Sequence, residues 1–153
     1  MRVLVGIGNR LSTDDGVGPI VAERMTGVPG WTAIDCGTAL ENVVGCIPGD
    51  SDGVILVDAA QMGLPPGSIR RLAIPSAERM LASTHGLPLS FALERIADRV
   101  SRVTLIGIEP GHLSLGERLT PAVRTAADQL VSFLTDDQLD SIEWLEGSPT
   151  GEP

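Results

Sequence analysis

Three short runs, composed almost entirely of apolar residues, constrain the fold of this chain most. Val3–Ile7 and Gly53–Val57 are continuously apolar, and Val103–Ile108 is interrupted only by Thr104. An uninterrupted apolar run of this length is typical of a strand buried on both faces, because a strand with one solvated face would alternate in polarity. Strands of this kind occur in parallel sheets whose two faces are covered by helices. The three runs therefore favour an α/β fold with a buried sheet.

The segments around these runs complete the α/β pattern. We expect further strands at Trp31–Asp35 and Ser68–Ile74, and helices at Gly16–Met25, Ala39–Ile47 and Pro88–Val100 and from Pro121 onward. Thr120 is the predicted N-cap of the last helix, and Pro121 suits its first position. The buried face of that helix is predicted to comprise Val123, Ala126, Ala127, Leu130 and Leu134. The sequence thus predicts a three-layer sandwich, with a mostly parallel, twisted sheet of about five strands and helices on both faces.

Length and composition indicate a single globular domain. The chain has 153 residues, of which 42% are apolar and 20% are charged, as in ordinary globular proteins with one core. We expect one domain over residues 1–146. The Gly- and Pro-containing residues 147–153 are expected to form a flexible C-terminal tail.

The charge balance restricts the partners. The net charge is −9, and all 11 basic residues are arginine, with no lysine. An acidic surface repels phosphate backbones and acidic lipid surfaces, so we expect neither nucleic-acid binding nor membrane insertion. The N-terminal apolar run is too short for a signal peptide or a membrane span, so we expect a cytoplasmic protein. Two cysteines, Cys36 and Cys46, cannot form a disulfide framework, and we expect reduced, mostly buried thiols in a monomeric chain.

Acidic residues follow the predicted strands at the edge where such sheets bind ligands. Asp14 and Asp15 follow the first strand, and Asp35, Asp58 and Glu109 follow later ones. Ligands of open parallel sheets bind outside the carboxyl ends of the strands. Buried like charges at this edge would repel one another unless a cation or a proton compensates them, and a divalent metal is the simplest compensation.

His85 adds an imidazole to these carboxylates. Asp15, Asp58 and His85 would make a mixed oxygen and nitrogen site with open positions, which suits nickel, zinc, iron or manganese. Each residue also has a structural alternative. Asp15 can cap a helix, Asp58 and Asp35 can accept hydrogen bonds from loop amides, and His85 can lie in a cap or on the surface. We expect the side chains of the adjacent Asp14 and Asp15 to diverge, so that only one of them reaches the site.

Other common site motifs are incomplete or missing. Gly6-Ile7-Gly8 begins a dinucleotide-binding pattern, but Leu11 stands at the third glycine position. A phosphate-binding G-x-x-x-x-G-K-[ST] loop is excluded because the chain has no lysine, and neither G-x-S-x-G nor H-E-x-x-H occurs. We therefore assign no residues to an organic cofactor and interpret His112 as a loop residue.

The residues singled out above resemble the motifs of a known family. Gly8-Asn9 followed by Asp14–Pro19 resembles the opening signature of the hydrogenase maturation proteases, which are nickel-dependent processing endopeptidases. The segment Asp35-Cys36-Gly37-Thr38 resembles that family's Asp-Gly-Gly-Thr. The segments Val57–Ala59 with Met62-Gly63, and Thr84-His85 with Pro88-Leu89, also fit. The similarity extends from Val3 to about Leu134.

This resemblance implies an activity and a substrate. Members of the family remove the C-terminal extension of a nickel-hydrogenase large-subunit precursor after nickel has been inserted, and they are classified as aspartic-type peptidases. The positions that contact the metal in the family correspond to Asp15, Asp58 and His85. The nickel is expected to be carried by the substrate, although another divalent metal in the site stays open. Asp35 is a candidate second catalytic carboxylate, either as general base or as a supporting group.

Three points stay open at this stage. Cys36 stands where the family usually has glycine, so it is either a soft ligand near the site or a small apolar filler. The chain could also be a non-catalytic metal- or nucleotide-binding module of the same fold. A third interpretation is a metallohydrolase that carries its own permanent metal.

Overall fold

The computed structural model describes residues 1–73, 80–81 and 89–145. Within this part of the chain there are five strands and three α-helices, joined by loops and short 3₁₀ turns. The strands are β1 (Arg2–Ile7), β2 (Trp31–Gly37), β3 (Gly53–Ala59), β4 (Ile69–Leu72) and β5 (Val103–Ile108). The helices are α1 (Val17–Met25), α2 (Leu89–Ala97) and α3 (Pro121–Thr135).

The five strands form one sheet in the order β2-β1-β3-β5-β4. The first four in this order are parallel, and β4 pairs antiparallel with β5 at the edge. The mostly parallel sheet predicted from the sequence is therefore confirmed. The chain leaves β1 for β2 on one side and later returns to β3 on the other, so β1 and β3 flank the topological switch point. Ligands bind at this point in open α/β sheets.

Alternate residues of the central strands belong to two separate cores. On one face of the sheet, Leu4 of β1 and Ile55 of β3 pack with apolar side chains of α1 and α3. On the other face, Val5 and Leu56 pack with α2 and with the 3₁₀ turns that follow β2. The predicted apolar face of α3 is buried along its whole length. Helices therefore cover both faces, as the apolar strands require.

The predicted helix at Ala39–Ile47 is wrong. The segment forms two 3₁₀ turns, Leu40–Asn42 and Val44–Cys46. β-Branched residues and Gly45 lower its helix propensity, and Pro48 restricts the residue before it to extended conformations. The turns still bury apolar side chains against the sheet, which explains why the hydrophobic pattern resembled that of a short helix.

The prediction for the two thiols is also only partly correct. Both cysteines are free, but Cys46 is exposed and Cys36 is only partly buried. Several predicted features lie outside the described residues, namely His85, Pro88, Ile74 and the tail at 147–153. Within the described ranges, no helix has both the length and the apolar character needed to cross a membrane.

The amino and carboxyl edges of the sheet carry different functional groups. β1 begins at the amino edge, where the α-amino group of Met1 pairs with the Asp52 carboxylate at 2.6 Å. Both groups are exposed to solvent there. At the opposite, carboxyl edge β1 runs through Gly8 into a 3₁₀ turn at Thr13–Gly16, which leads directly into α1. Among the described candidates, Asp15 lies in this turn, and Asp35 and Asp58 lie in the last residues of β2 and β3 at the same edge.

The start of α1 touches the sheet backbone to backbone. A Cβ atom added at Gly18 would lie 2.3 Å from the carbonyl oxygen of Ile7 and 2.4 Å from that of Val57. A Cβ atom at Gly6 would lie 2.1 Å from the Gly18 oxygen. Only glycine permits so close an approach. The contact fixes the turn before α1 over the switch point between β1 and β3.

We predict that Gly18→Ala lowers the free energy of unfolding by at least about 2 kcal/mol, because the added methyl group forces two backbones apart. The matched control is Gly45→Ala, since nothing lies within 4 Å of a Cβ atom at that position. Urea denaturation of both variants measures the difference. Equal stability of the two variants would contradict the close contact.

Candidate active site

Two buried carboxylates lie at the switch point of the sheet. Asp15 belongs to the turn between β1 and α1, and Asp58 is the sixth residue of β3. The exposed fraction is 5% for Asp15 and 0% for Asp58. Neighbouring strands β1 and β3 thus bring two of the predicted site residues to one edge of the sheet.

Asp15 is positioned by the turn that it belongs to. Its Oδ2 atom accepts a hydrogen bond of 3.1 Å from the backbone N–H of Asn9, and its own N–H donates to the carbonyl of Ser12. The N-cap position of α1 is occupied by Gly16 and makes no side-chain cap. The alternative that Asp15 caps this helix is therefore wrong, and its carboxylate instead closes the loop after β1.

Asp58 lies within β3, one residue before the strand ends. Its backbone is paired with Gly107 of β5, and its Oδ1 atom accepts a hydrogen bond of 2.7 Å from the N–H of Ala59. Val54 and Leu56 belong to the core on the α2 side. Because side chains alternate along a strand, the Asp58 carboxylate points to that same face.

Asp14 joins the loop after β1 to the loop after β5. It is fully buried. Its Oδ2 atom accepts hydrogen bonds from the N–H groups of Gly111 and His112 at 2.7 and 2.9 Å, and from the Thr120 hydroxyl at 2.8 Å. Its Oδ1 atom accepts a bond of 2.7 Å from the Thr120 N–H. Four donors from one distant loop thus converge on a single carboxylate.

The bonds of Asp14 correct two expectations from the sequence. Thr120 occupies the N-cap position of α3, but its side chain caps nothing and donates to Asp14 instead. The Glu109 carboxylate likewise accepts hydrogen bonds from the N–H groups of Met62 and Leu64. Backbone amides therefore compensate Asp14 and Glu109, two buried carboxylates for which the sequence predicts a compensating cation. Asp14 and Asp15 diverge, as predicted.

Asp35 is held at the rim of the site. Its Oδ1 atom accepts a bond of 3.0 Å from the Gly37 N–H, and its Oδ2 atom is 3.3 Å from Nε of Arg10. Arg10 also pairs with Glu23 of α1. Trp31 and Ala33 contact the core on the α1 side, so strand alternation directs Asp35 to that face, opposite to Asp58. The structure does not bring Asp35 and Asp58 onto one face.

Cys36 occupies a β-bulge beside the site. Gly6 pairs with Asp35 while Ile7 pairs with Gly37, so Cys36 is the extra residue of β2. Burial, together with the nearby charges of Asp58 and Asp35, raises the pKa of the Cys36 thiol to about 12. The group is protonated at neutral pH and contacts the core on the α2 side. These properties favour the interpretation of Cys36 as a small apolar filler.

The third predicted ligand cannot be placed, since His85 lies outside the described residues. Among residues 1–73, 80–81 and 89–145, no three His, Cys, Asp or Glu side chains are grouped so that they could hold a metal ion. The predicted set of Asp15, Asp58 and His85 therefore stays a prediction. His112 is an exposed loop residue, as expected.

The sequence and the fold of this chain are similar to those of known proteins. A family model described as hydrogenase maturation protease (HycI) matches residues 20–137. The Hydrogenase 3 maturation protease of Escherichia coli (strain K12) is 32% identical over 136 residues, which cover 86% of this chain and 87% of that protein. The chain belongs to the hydrogenase maturation protease family.

Solved structures of family members share the fold. The solution structure of the endopeptidase HycI from Escherichia coli has a TM-score of 0.83 at 28% identity, and the match covers 95% of this chain and 96% of that one. The crystal structure of the NiFe hydrogenase maturation protease HycI from Thermococcus kodakarensis KOD1 has a TM-score of 0.71 at 28% identity, covering 90% and 91%. The family, the fold and the endopeptidase activity predicted from the sequence motifs are confirmed.

Some residues that build this hydrogenase maturation protease site were not identified from the sequence. The sequence indicates Asp14 only as the neighbour of Asp15, and Thr120 only as a helix cap. The one available signal was the pair of adjacent acidic residues at the end of a buried strand. Two such side chains must diverge, so the second one needs donors of its own.

We predict that Asp14→Asn lowers the free energy of unfolding by about 2 kcal/mol, because an amide NH₂ group then faces buried N–H donors that lose their acceptor. Asp128→Asn is the control. It removes one partner of the exposed Arg24–Asp128 pair on α1 and α3 and is expected to cost no more than about 1 kcal/mol. Thermal or urea denaturation measures both. If the two substitutions cost the same, Asp14 is not the link between the loops.

Proposed function

We propose that this endopeptidase removes the C-terminal extension of a nickel-hydrogenase large-subunit precursor after nickel insertion, and that it does so in the cytoplasm. The observation that carries the proposal is the pair of buried carboxylates, Asp15 and Asp58, at the switch point of a maturation-protease fold. The names of the relatives support the substrate class, since the Escherichia coli protein is a Hydrogenase 3 maturation protease.

We propose further that Asp15, Asp58 and His85 contact the nickel ion that the precursor carries. Carboxylate and imidazole groups are common ligands of first-row divalent metals. A precursor that has not received nickel would lack this anchor. The requirement for nickel is then a property of binding, because the ion is part of the substrate and recognition needs no separate sensor.

Asp35 is proposed to act as a supporting group. Its carboxylate is engaged by Arg10 and by the Gly37 N–H, and it points to the face opposite to Asp58. These contacts fix the loop after β2 beside the site and favour support over general-base catalysis. The water that hydrolyses the scissile peptide would be activated at the face of the sheet that holds Asp58.

The first test compares two forms of one precursor. We expect the protease to cleave a purified large-subunit precursor loaded with nickel and to leave the nickel-free form intact. Gel electrophoresis and mass spectrometry of the released C-terminal peptide measure the cleavage. Equal cleavage of both forms would contradict recognition through nickel and would favour a protease with its own permanent metal. Cleavage of neither form would favour a non-catalytic module.

The second test concerns the proposed contacts. We expect Asp15→Asn and His85→Ala to lower the rate of processing at least about 100-fold, because each removes a group that holds the ion. His112→Ala is the matched control, since it removes the other imidazole but keeps the main-chain N–H that bonds to Asp14. Circular dichroism checks that all variants are folded. Full activity of either site variant would remove that residue from the metal contact.

A further inference from the structure

An exposed apolar surface lies directly beside the candidate active site. Five large apolar side chains are exposed among the described residues, and three of them belong to the two loops that flank Asp15. They are Leu11, Leu113 and Leu115, with exposed fractions of 53%, 36% and 90%. We call these three residues the leucine rim. Grouped exposed apolar residues mark interaction surfaces far more often than single ones do.

The two loops of the leucine rim are joined into one unit. The Thr13 N–H donates to the Gly116 carbonyl at 2.8 Å, and the Gly116 N–H donates to the Leu11 carbonyl at 2.9 Å. The Thr13 hydroxyl also donates to the Ser114 carbonyl. Below these bonds, Asp14 ties the same two loops together. The rim is therefore preorganised, which lowers the entropy lost when a partner binds to it.

A cleft opens between the same loops. It has a volume of about 200 Å³ and is lined by residues of the loop and turn between β1 and α1, of α1 itself and of the loop after β5. Ile20 and Leu119 give it apolar walls, while Arg10 and Glu117 contribute charged groups. A cleft of this kind beside exposed leucines can receive one side chain of a partner, the arrangement found at the centres of protein interfaces.

The position and size of the rim indicate its partner. A protease that cleaves near Asp15 must bring its protein substrate against the loops that carry this residue. Three leucine side chains supply far less than the roughly 1,200 Å² that a stable, specific interface buries, so they suit a short-lived encounter better than a permanent dimer. The cleaved large subunit must dissociate after the reaction, and a weak contact allows this dissociation.

We propose that the leucine rim is the docking surface for the folded large-subunit precursor, which it holds while the C-terminal segment enters the site. This inference rests on the proposed function, because it takes the precursor as the substrate. The rim contributes binding to the protein body and no contact with the reacting atoms. It acts on the affinity for the precursor and leaves the chemical step unchanged.

The test uses the double variant Leu11→Asn/Leu115→Asn and a nickel-loaded precursor that the unaltered protease cleaves. The substitutions keep the number and branching of the side-chain heavy atoms while replacing methyl groups by polar atoms. We expect KM for the precursor to rise about tenfold and kcat to stay the same. Titration of the precursor should show a dissociation constant that rises by the same factor. The matched control is Val28→Thr in the turn between α1 and β2, at the amino edge, and it should leave both constants unchanged.

The other outcomes each overturn the proposal in a recognisable way. An unchanged KM, or a rise that Val28→Thr also produces, rules out docking at the rim while the cleavage of the precursor upholds the proposed function. A fall in kcat at constant KM would assign the leucines to the chemical step. A dimer of the unaltered protease in sedimentation, with a monomeric double variant, would assign the rim to self-association. If the unaltered protease cleaves no precursor, the proposed function itself fails, whatever the leucines do.

Discussion

The structure depends on a contact between two backbones. The start of α1 lies against the ends of β1 and β3 because Gly6 and Gly18 have no side chains. This contact places the preceding turn above the point where the strand order reverses. Any larger residue at either position would lift the turn, and Asp15 would move with it. The geometry of the candidate site is thus set by the absence of two methyl groups.

The carboxylates at the carboxyl edge of the sheet are stabilised by different kinds of partner. Asp14 and Glu109 accept hydrogen bonds from backbone amides and tie loops together. Asp35 lies at the rim and pairs with an arginine. Asp15 and Asp58 are buried at the switch point and accept hydrogen bonds from the N–H groups of Asn9 and Ala59. Their place at the switch point makes these two the candidates for the chemistry, while Asp14 and Glu109 hold the surrounding loops.

The sequence was sufficient where the physical signal is local. The apolar runs of β1, β3 and β5 reflect burial on both faces, and the spacing of apolar residues in α3 reflects packing on one. The order of strands and helices then located the edge that carries Asp15 and Asp58. The family motifs added the activity, which no periodicity could have supplied.

The rest could not be predicted because it depends on residues far apart in the chain. Asp14 and Thr120 are separated by 106 positions, and the sequence around either residue does not predict their contact. The bulge at Cys36 depends on the register between β1 and β2, which the sequence of either strand alone does not show. The 3₁₀ turns after β2 bury the same side chains as a helix would, so their apolar pattern could not distinguish the two.

The pairing of Met1 with Asp52 has a practical consequence. Since the chain lacks lysine, none of its side chains carries a primary amine, and the α-amino group of Met1 lies at the edge of the sheet opposite to Asp15. Reagents that couple to amines will therefore attach this protein to a surface or a dye at one defined point. Every immobilised molecule would present its leucine-bearing loops to the solution in the same orientation.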